Sequence, residues 1–140
     1  MLYKYTEFKV EKLLNDHPEN KEILDDLRAQ LREMIEAELR AKPESVGERK
    51  QTNDGIVNLL VRKEDLERKV ADYADTVERT EAALNRLTEE ERLVIDCFFY
   101  KSMSRGQAQI WLERKLHISQ SEVYRRRRAA LDKIQRLLWG

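Results

Sequence analysis

Apolar residues recur at every third or fourth position through two long stretches of the sequence, 20–41 and 56–87. In the first stretch they include Leu24, Leu27 and Leu31, and in the second they occupy most of the a and d places of a heptad frame. This spacing places the side chains on one face of an α-helix. Strand-like alternation is absent from the sequence, and only four glycines and two prolines interrupt its 140 residues. The sequence therefore predicts an all-α fold.

Residues that disfavour helix divide the chain into regions. A short helix over residues 3–15 is expected to end near Pro18, because the residue before a proline is driven out of the α region. The segment 42–55 is rich in turn-forming residues and poor in apolar ones, which predicts a loop. We therefore expect an N-terminal helical, coiled-coil region over residues 1–87, followed by a C-terminal domain over residues 88–140.

The C-terminal domain is predicted to contain three helices, over residues 89–100, 104–116 and 120–138. The residues placed to cap them with a side-chain hydroxyl are Thr88, Ser104 and Ser119. His117 lies in the short turn before the third helix, where a positive φ is common, and histidine enters that region more readily than most residues. A metal-binding role for His117 is disfavoured, because no second ligand lies at a suitable spacing. The pattern predicts a helix-turn-helix.

Charge is distributed unevenly along the chain, although the formal net charge is zero. From residue 101 to residue 140 there are ten basic and three acidic residues, a local net charge of +7, so the remainder carries −7. Four consecutive arginines occupy positions 125–128. A solvated basic face is the alternative interpretation, but arginines that directly follow a turn of this kind favour binding to the phosphates of DNA.

The third predicted helix has an inner and an outer face. The apolar residues expected to pack inward, on this helix and around the turn before it, are Leu112, Leu116, Ile118, Val123, Leu131, Ile134 and Leu138. The residues predicted to contact the edges of bases are Gln120, Ser121, Tyr124, Arg125 and Arg128. The residues predicted to contact phosphates are Lys101, Ser104, Arg105, Arg126, Arg127 and Lys133.

The segment from Leu87 to Leu138 combines a capped L-T-x-x-E-R helix, an apolar stretch ending in Tyr, a turn ending in Ile-Ser, and an arginine-rich helix ending in Ala-Leu. These 52 residues resemble region four of bacterial sigma factors. Together with its acidic helical front end, the whole chain is similar to the phage-encoded RinA and ArpU type of late transcriptional regulators. That resemblance implies an activator of phage structural or packaging operons, in which Ser119 caps the recognition helix and Val123 anchors it.

One position departs from the sigma-like pattern. Glu113 stands where the pattern usually has a small alanine at the close crossing of two helices. An unpaired carboxylate would be costly to bury there. We therefore predict that Glu113 pairs with Arg126 or Arg127 of the recognition helix.

These features predict a non-enzymatic regulator of transcription that binds double-stranded DNA. The expected partners also include a second copy of the chain, through helices 20–41 and 56–87, and RNA polymerase. Whether the long helix 56–87 pairs within one chain or between two copies stays open, since both arrangements bury the same seam. Two alternatives are a DNA-packaging adaptor like a phage small terminase subunit and a purely structural helical adaptor.

An enzyme is not expected, because the sequence has neither a glycine-rich phosphate loop nor a nucleophile with a base at a meaningful spacing. No cofactor or metal is expected either. Cys97 lies within an apolar run and is expected to be buried as a small hydrophobic residue. No apolar stretch approaches the roughly 20 residues of a membrane-spanning helix. The sequence therefore predicts a cytoplasmic protein of a bacterial host cell.

Overall fold

The computed structural model describes residues 1–4, 9–40 and 53–140, the last of these ranges with side chains from residue 58 onward. Within the described residues the regular secondary structure is entirely helical, which confirms the all-α prediction. The elements are α1 (Lys9–Arg40), α2 (Asn53–Asn85), α3 (Glu89–Ile95), a π-helical turn (Asp96–Tyr100), α4 (Arg105–Leu116) and α5 (Gln120–Trp139).

The predicted break at Pro18 is wrong, because α1 continues through this proline. Leu13 and Leu14 before the proline and Leu24 after it are all buried. Proline removes one backbone hydrogen bond from a helix interior, but packing of an apolar face stabilises helices in proteins more than propensity does. Burial on both sides of Pro18 therefore accounts for one helix where two were predicted, over residues 3–15 and 20–41.

The predicted loop over residues 42–55 is only partly within the described residues. Its last three residues belong to α2, which begins at Asn53, so that part of the prediction is wrong. An Asn-Asp-Gly sequence is typical of a turn, but asparagine and aspartate also suit the first positions of a helix. Residues 42–52 lie outside the described residues.

The starts of α3 and α4 are fixed by two capping boxes. The hydroxyl of Thr88 accepts a hydrogen bond from the Glu91 amide at 3.2 Å, and the Glu91 carboxylate accepts one from the Thr88 amide at 2.9 Å. Ser104 and Gln107 form the same reciprocal pair at 3.2 and 2.9 Å. These bonds satisfy amides that a helix N-terminus leaves without partners. The predictions for Thr88 and Ser104 as caps are confirmed.

The chain divides into two compact units, unit 1 (Met1–Leu2 with Glu19–Thr76) and unit 2 (Tyr3–Pro18 with Val77–Gly140). This division differs from the predicted one, because the expected boundary between residues 87 and 88 lies inside unit 2. Residues 3–18, which the sequence predicts to lie in the N-terminal region, also belong to unit 2.

Among the side chains that the structure describes in unit 1, few apolar ones are buried. The buried hydrophobic residues of this described part are Leu24 and Leu66, and an ion pair of 3.2 Å joins Lys63 to Glu38. Most of the large hydrophobic residues that the described structure leaves exposed also belong to unit 1. They are Leu2, Ile35, Leu39, Leu59, Leu60 and Val61. Of the apolar heptad residues of α2, Leu66 is therefore buried, whereas Leu59 is exposed to solvent.

Unit 2 contains a dense apolar core. One cluster combines buried residues of α3, the π turn, α4 and α5, and comprises Val94, Cys97, Ala108, Leu112 and Val123. Cys97 is fully buried, as predicted, and burial raises the pKa of its thiol. The thiol therefore behaves as a small hydrophobic group. This core positions α4 and α5 against each other.

Candidate nucleic-acid interface

A turn of three residues, His117 to Ser119, joins α4 to α5. His117 has φ 55° and ψ 49°, so it adopts the left-handed conformation that its place in the turn predicted. The carbonyl of Glu113 accepts hydrogen bonds from the amides of His117 and Ile118, the latter at 3.2 Å. The hydroxyl of Ser119 then accepts from the Glu122 amide at 3.2 Å and caps α5. The chain thus leaves one helix and enters the next within three residues.

The inner face of α5 is anchored as predicted around Val123. Val123 and Leu112 are fully buried in one cluster, and Leu116 and Ile118 pack against it. Further along α5 the residues with little or no exposure are Ala130, Ile134 and Leu138, whereas Leu131 is only partly buried. Ala130 is therefore one of the fully buried residues of α5, whereas the predicted Leu131 is not. This burial directs the opposite face of α5 toward solvent.

Most of the predicted base-contacting residues lie on that solvent-facing side. Gln120, Ser121, Arg125 and Arg128 are exposed, and the side chain of Arg125 is 73% exposed. The hydroxyls of Ser121 and Ser119 lie 3.2 Å apart. The first turns of α5 therefore present amide, hydroxyl and guanidinium groups together, the groups that contact base edges in a major groove.

Tyr124, the fifth predicted base contact, is half-buried and forms contacts within the protein. Its hydroxyl donates a hydrogen bond to Gln109 Oε1 at 3.0 Å, and its ring centroid lies 5.9 Å from that of Phe98. The guanidinium carbon of Arg105 lies 5.0 Å from the Tyr124 ring centroid, within the range of a cation–π contact. Tyr124 thus connects α4, α5 and the π turn.

The predicted pairing of Glu113 with Arg126 or Arg127 is wrong. Glu113 instead accepts a hydrogen bond from Gln109 Nε2 at 3.3 Å. Glu113 is partly rather than fully buried, so solvent can satisfy its charge without an arginine. Gln109 links Glu113 to Tyr124.

Three of the predicted phosphate contacts are engaged by carboxylates of the protein. Arg126 Nη1 lies 3.0 Å from Glu90, and Lys133 Nζ lies 2.8 Å from Glu91, both carboxylates being on α3. Arg127 pairs with Glu11 of α1 at 3.4 Å. The side chain of Arg127 is only 15% exposed, and its guanidinium carbon lies 5.2 and 5.4 Å from two neighbouring phenylalanine rings. These three cations join α5 to other helices of unit 2.

The remaining predicted phosphate contacts are exposed at the start of α4 and just before it. Lys101 Nζ lies 5.0 Å from the centroid of the Trp111 ring. Ser104 caps α4 with its hydroxyl, and Arg105 follows it over Tyr124. Aromatic rings hold both cations, which lowers the conformational entropy they would lose on binding a phosphate.

Glu122 connects two arginines of α5. Its Oε2 accepts a hydrogen bond from Arg125 Nε at 2.7 Å, and its Oε1 accepts one from Arg125 Nη2 and another, at 3.1 Å, from Arg126 Nε. These hydrogen bonds lower the pKa of the Glu122 carboxyl group to about 2. Glu122 is therefore ionised at neutral pH.

Sequence reasoning missed Gln109, Trp111 and Glu122 as parts of this surface. The spacing of three and four residues from Glu122 to Arg125 and Arg126 is a signal that the sequence does contain. Gln109 and Trp111 carry no comparable signal, because their contacts depend on which helix lies alongside α4.

Within the described ranges there is no group of three or more histidine, cysteine, aspartate or glutamate residues suited to a metal ion. None of the helices described is long and apolar enough to cross a lipid bilayer. No protein-family model matches the chain, and comparisons with curated proteins and with solved structures found no match either.

Proposed function

We propose that this protein is a sequence-specific, DNA-binding regulator of transcription. In this proposal α4, the turn and α5 form a helix-turn-helix, and α5 enters the major groove with its first turns toward the bases. One observation carries the proposal: the start of α5 is polar and exposed, while Val123 on its opposite face is fully buried. The left-handed conformation of His117 allows the short turn that leads into this helix.

The exposed residues divide between two roles in this proposal. Gln120, Ser121, Arg125 and Arg128 read bases, while Tyr124 packs against α4 and the π turn. Lys101 and Arg105 contact phosphates next to the recognition helix, with the exposed cations Arg114 and Lys115 at the end of α4. Arg126, Arg127 and Lys133 stabilise the orientation of α5, since each is paired with a carboxylate.

Unit 1 provides the partner-binding region of the proposed regulator. A single helix-turn-helix binds DNA weakly, and dimers read two half-sites. Ile35, Leu39, Leu59, Leu60 and Val61 leave apolar surface exposed on α1 and α2, which supports association with a second copy. Contact with RNA polymerase, action in a bacterial cytoplasm and activation of phage late genes follow from the sigma-like and RinA/ArpU-like sequence pattern and belong to the same proposal.

A structural adaptor is the second candidate, and a specific observation favours it. Three basic residues of α5, Arg126, Arg127 and Lys133, are already neutralised by acids within the chain. If the remaining basic side chains are only hydrated and contact no phosphate, the protein would assemble through unit 1 without binding DNA.

Selection of binding sites from a random pool of duplex DNA, followed by binding measurements at several salt concentrations, separates the two functions. We expect the regulator to enrich a defined site and its affinity to fall steeply as salt is raised, since cations released from phosphates drive binding. Absence of binding at low salt would leave the adaptor as the better account.

A matched pair of variants tests the assigned surface. Gln120→Ala with Arg125→Ala should reduce the preference for the selected site at least about tenfold, because lost base contacts are worth about 1–3 kcal/mol each. Gln30→Ala with Arg28→Ala changes the same residue types at exposed positions of α1 and should leave the preference unchanged.

A further inference from the structure

The geometry points to Arg125 as a reader of guanine in the major groove and to Glu122 as the residue that orients it. This inference rests on the proposed function and makes it more specific, because it names the base and the second residue that the recognition requires.

The hydrogen bonds of Arg125 leave one edge of its guanidinium group available. Glu122 accepts from Arg125 Nε at 2.7 Å and from Nη2, and these two donors form one edge of the planar group. An arginine has five N–H donors, so the two on Nη1 and the second one on Nη2 remain. Nη1 and Nη2 together form the other two-donor edge, which is directed away from Glu122.

Guanine is the base that matches this free edge. In the major groove guanine presents two adjacent acceptors, N7 and O6, which accept both bonds of an arginine fork. Adenine presents N7 together with an N6 amino group, and that amino group would face a second donor. A guanidinium held in one plane therefore discriminates between the two purines.

Glu122 is itself held firmly enough to orient Arg125. Its backbone amide donates to the Ser119 cap, and its side chain is 26% exposed. The same carboxylate accepts from Arg126 Nε, and Arg126 in turn contacts Glu90 at 3.0 Å. Arg125 is thus the outermost member of a chain of charged groups that begins on α3.

This arrangement has a consequence for binding to DNA of any sequence. The Glu122 carboxylate places a negative charge directly beside Arg125, one of the base-reading residues, and this charge repels phosphates. It should therefore weaken non-specific binding while it favours guanine at one position. A residue with a purely structural role would not produce these two opposite effects.

Binding-site selection with single variants tests the inference. The wild type should select guanine at one position of its site. Arg125→Lys keeps the charge but loses the two-donor edge, so the preference for guanine should fall by about five- to 150-fold while binding to other DNA persists. Glu122→Gln should lower the same preference at least about threefold and should strengthen binding to unrelated duplex DNA.

The control is Glu90→Gln, which removes a carboxylate from the same chain of charged groups at a site that contacts Arg126 and not Arg125. It should leave the guanine preference intact. An unchanged preference in Glu122→Gln, or an equal loss in Glu90→Gln, would overturn the role of Glu122. If the protein selects a site but no guanine preference in that site depends on Arg125, the inference is overturned and DNA binding remains in place. If the protein selects no site at all, both proposals are overturned.

Discussion

Unit 1 and unit 2 differ in what covers their apolar side chains. In unit 2 Leu112 and Ile134 are fully buried, and α4 and α5, which carry them, are 12 and 20 residues long. In unit 1 the helical segments are longer, yet Leu39, Leu59 and Leu60 are exposed. Long helices with regular apolar spacing therefore do not by themselves make a core. In unit 2 the core forms where several elements contribute buried side chains to one cluster.

The largest expected effect comes from the core of unit 2. Leu112→Ala should lower the free energy of unfolding of unit 2 by about 2–5 kcal/mol, because it removes a fully buried side chain and leaves a cavity. Trp111 and Trp139, the two tryptophans of the chain, both lie in unit 2, so fluorescence during urea unfolding reports on this unit. A loss below about 1 kcal/mol would contradict the contrast between the units.

A smaller effect is expected from the arginine that joins α5 to α1. Arg127→Ala should destabilise unit 2 by about 1–3 kcal/mol, because it removes the cation from two aromatic rings and leaves Glu11 without this partner. Arg128→Ala, at the exposed neighbouring position, should cost less than about 0.5 kcal/mol. The same urea measurement compares the two variants, and equal losses would show that Arg127 does not link the helices.

The pairing of Glu91 with Lys133 predicts a dependence of stability on pH. Hydrogen bonds from Lys133 and from the Thr88 amide lower the pKa of the Glu91 carboxyl group in the folded state. A lowered folded-state pKa means that the stabilisation is complete above the unfolded pKa and is lost as pH falls through the folded one. Between about pH 5 and about pH 3 the wild type should lose about 0.5–1 kcal/mol more than Glu91→Gln.

Urea unfolding at each pH checks this prediction, with Glu89→Gln, an exposed glutamate of the same turn, as the control. Identical pH profiles for the wild type and Glu91→Gln would mean that the Glu91–Lys133 contact contributes nothing to folding.

The smallest effect on folding is expected in unit 1. Leu59 is 47% exposed, so Leu59→Gln should change the free energy of unfolding of unit 1, followed by circular dichroism in urea, by less than about 0.5 kcal/mol. If a second copy covers this surface, as proposed, the same substitution should weaken self-association in sedimentation experiments. A variant that associates as strongly as the wild type would remove Leu59 from the proposed interface.

The sequence predicted those parts of the fold that depend on neighbouring residues. Thr88, Ser104 and Ser119 cap their helices as expected, and His117 adopts the left-handed conformation, because each of these features is decided within four residues. The burial of Val123 and Ile134 followed from helical spacing in the same way.

The partners of the charged residues could not be predicted. The sequence places Arg126, Arg127 and Lys133 on a basic helix, but only the packed structure brings Glu90, Glu11 and Glu91 to them. The predicted partner of Glu113 is wrong for the same reason, since the partner of this carboxylate depends on distances between helices. The continuity of α1 through Pro18 likewise depends on burial on both sides of that residue, which local propensity does not describe.

Unit 2 is built from two segments that lie far apart in the sequence. This arrangement constrains the order in which the chain can fold during synthesis. Residues 3–18 leave the ribosome before residues 19–76, which make up nearly all of unit 1, and the contact between Glu11 and Arg127 spans 116 positions. The start of α1 must therefore wait for α5, while unit 1 already has its whole sequence outside the ribosome. Closing so long a loop carries an entropic cost that the local contacts of α3, α4 and α5 avoid. We expect those three helices to associate first and the start of α1 to dock last.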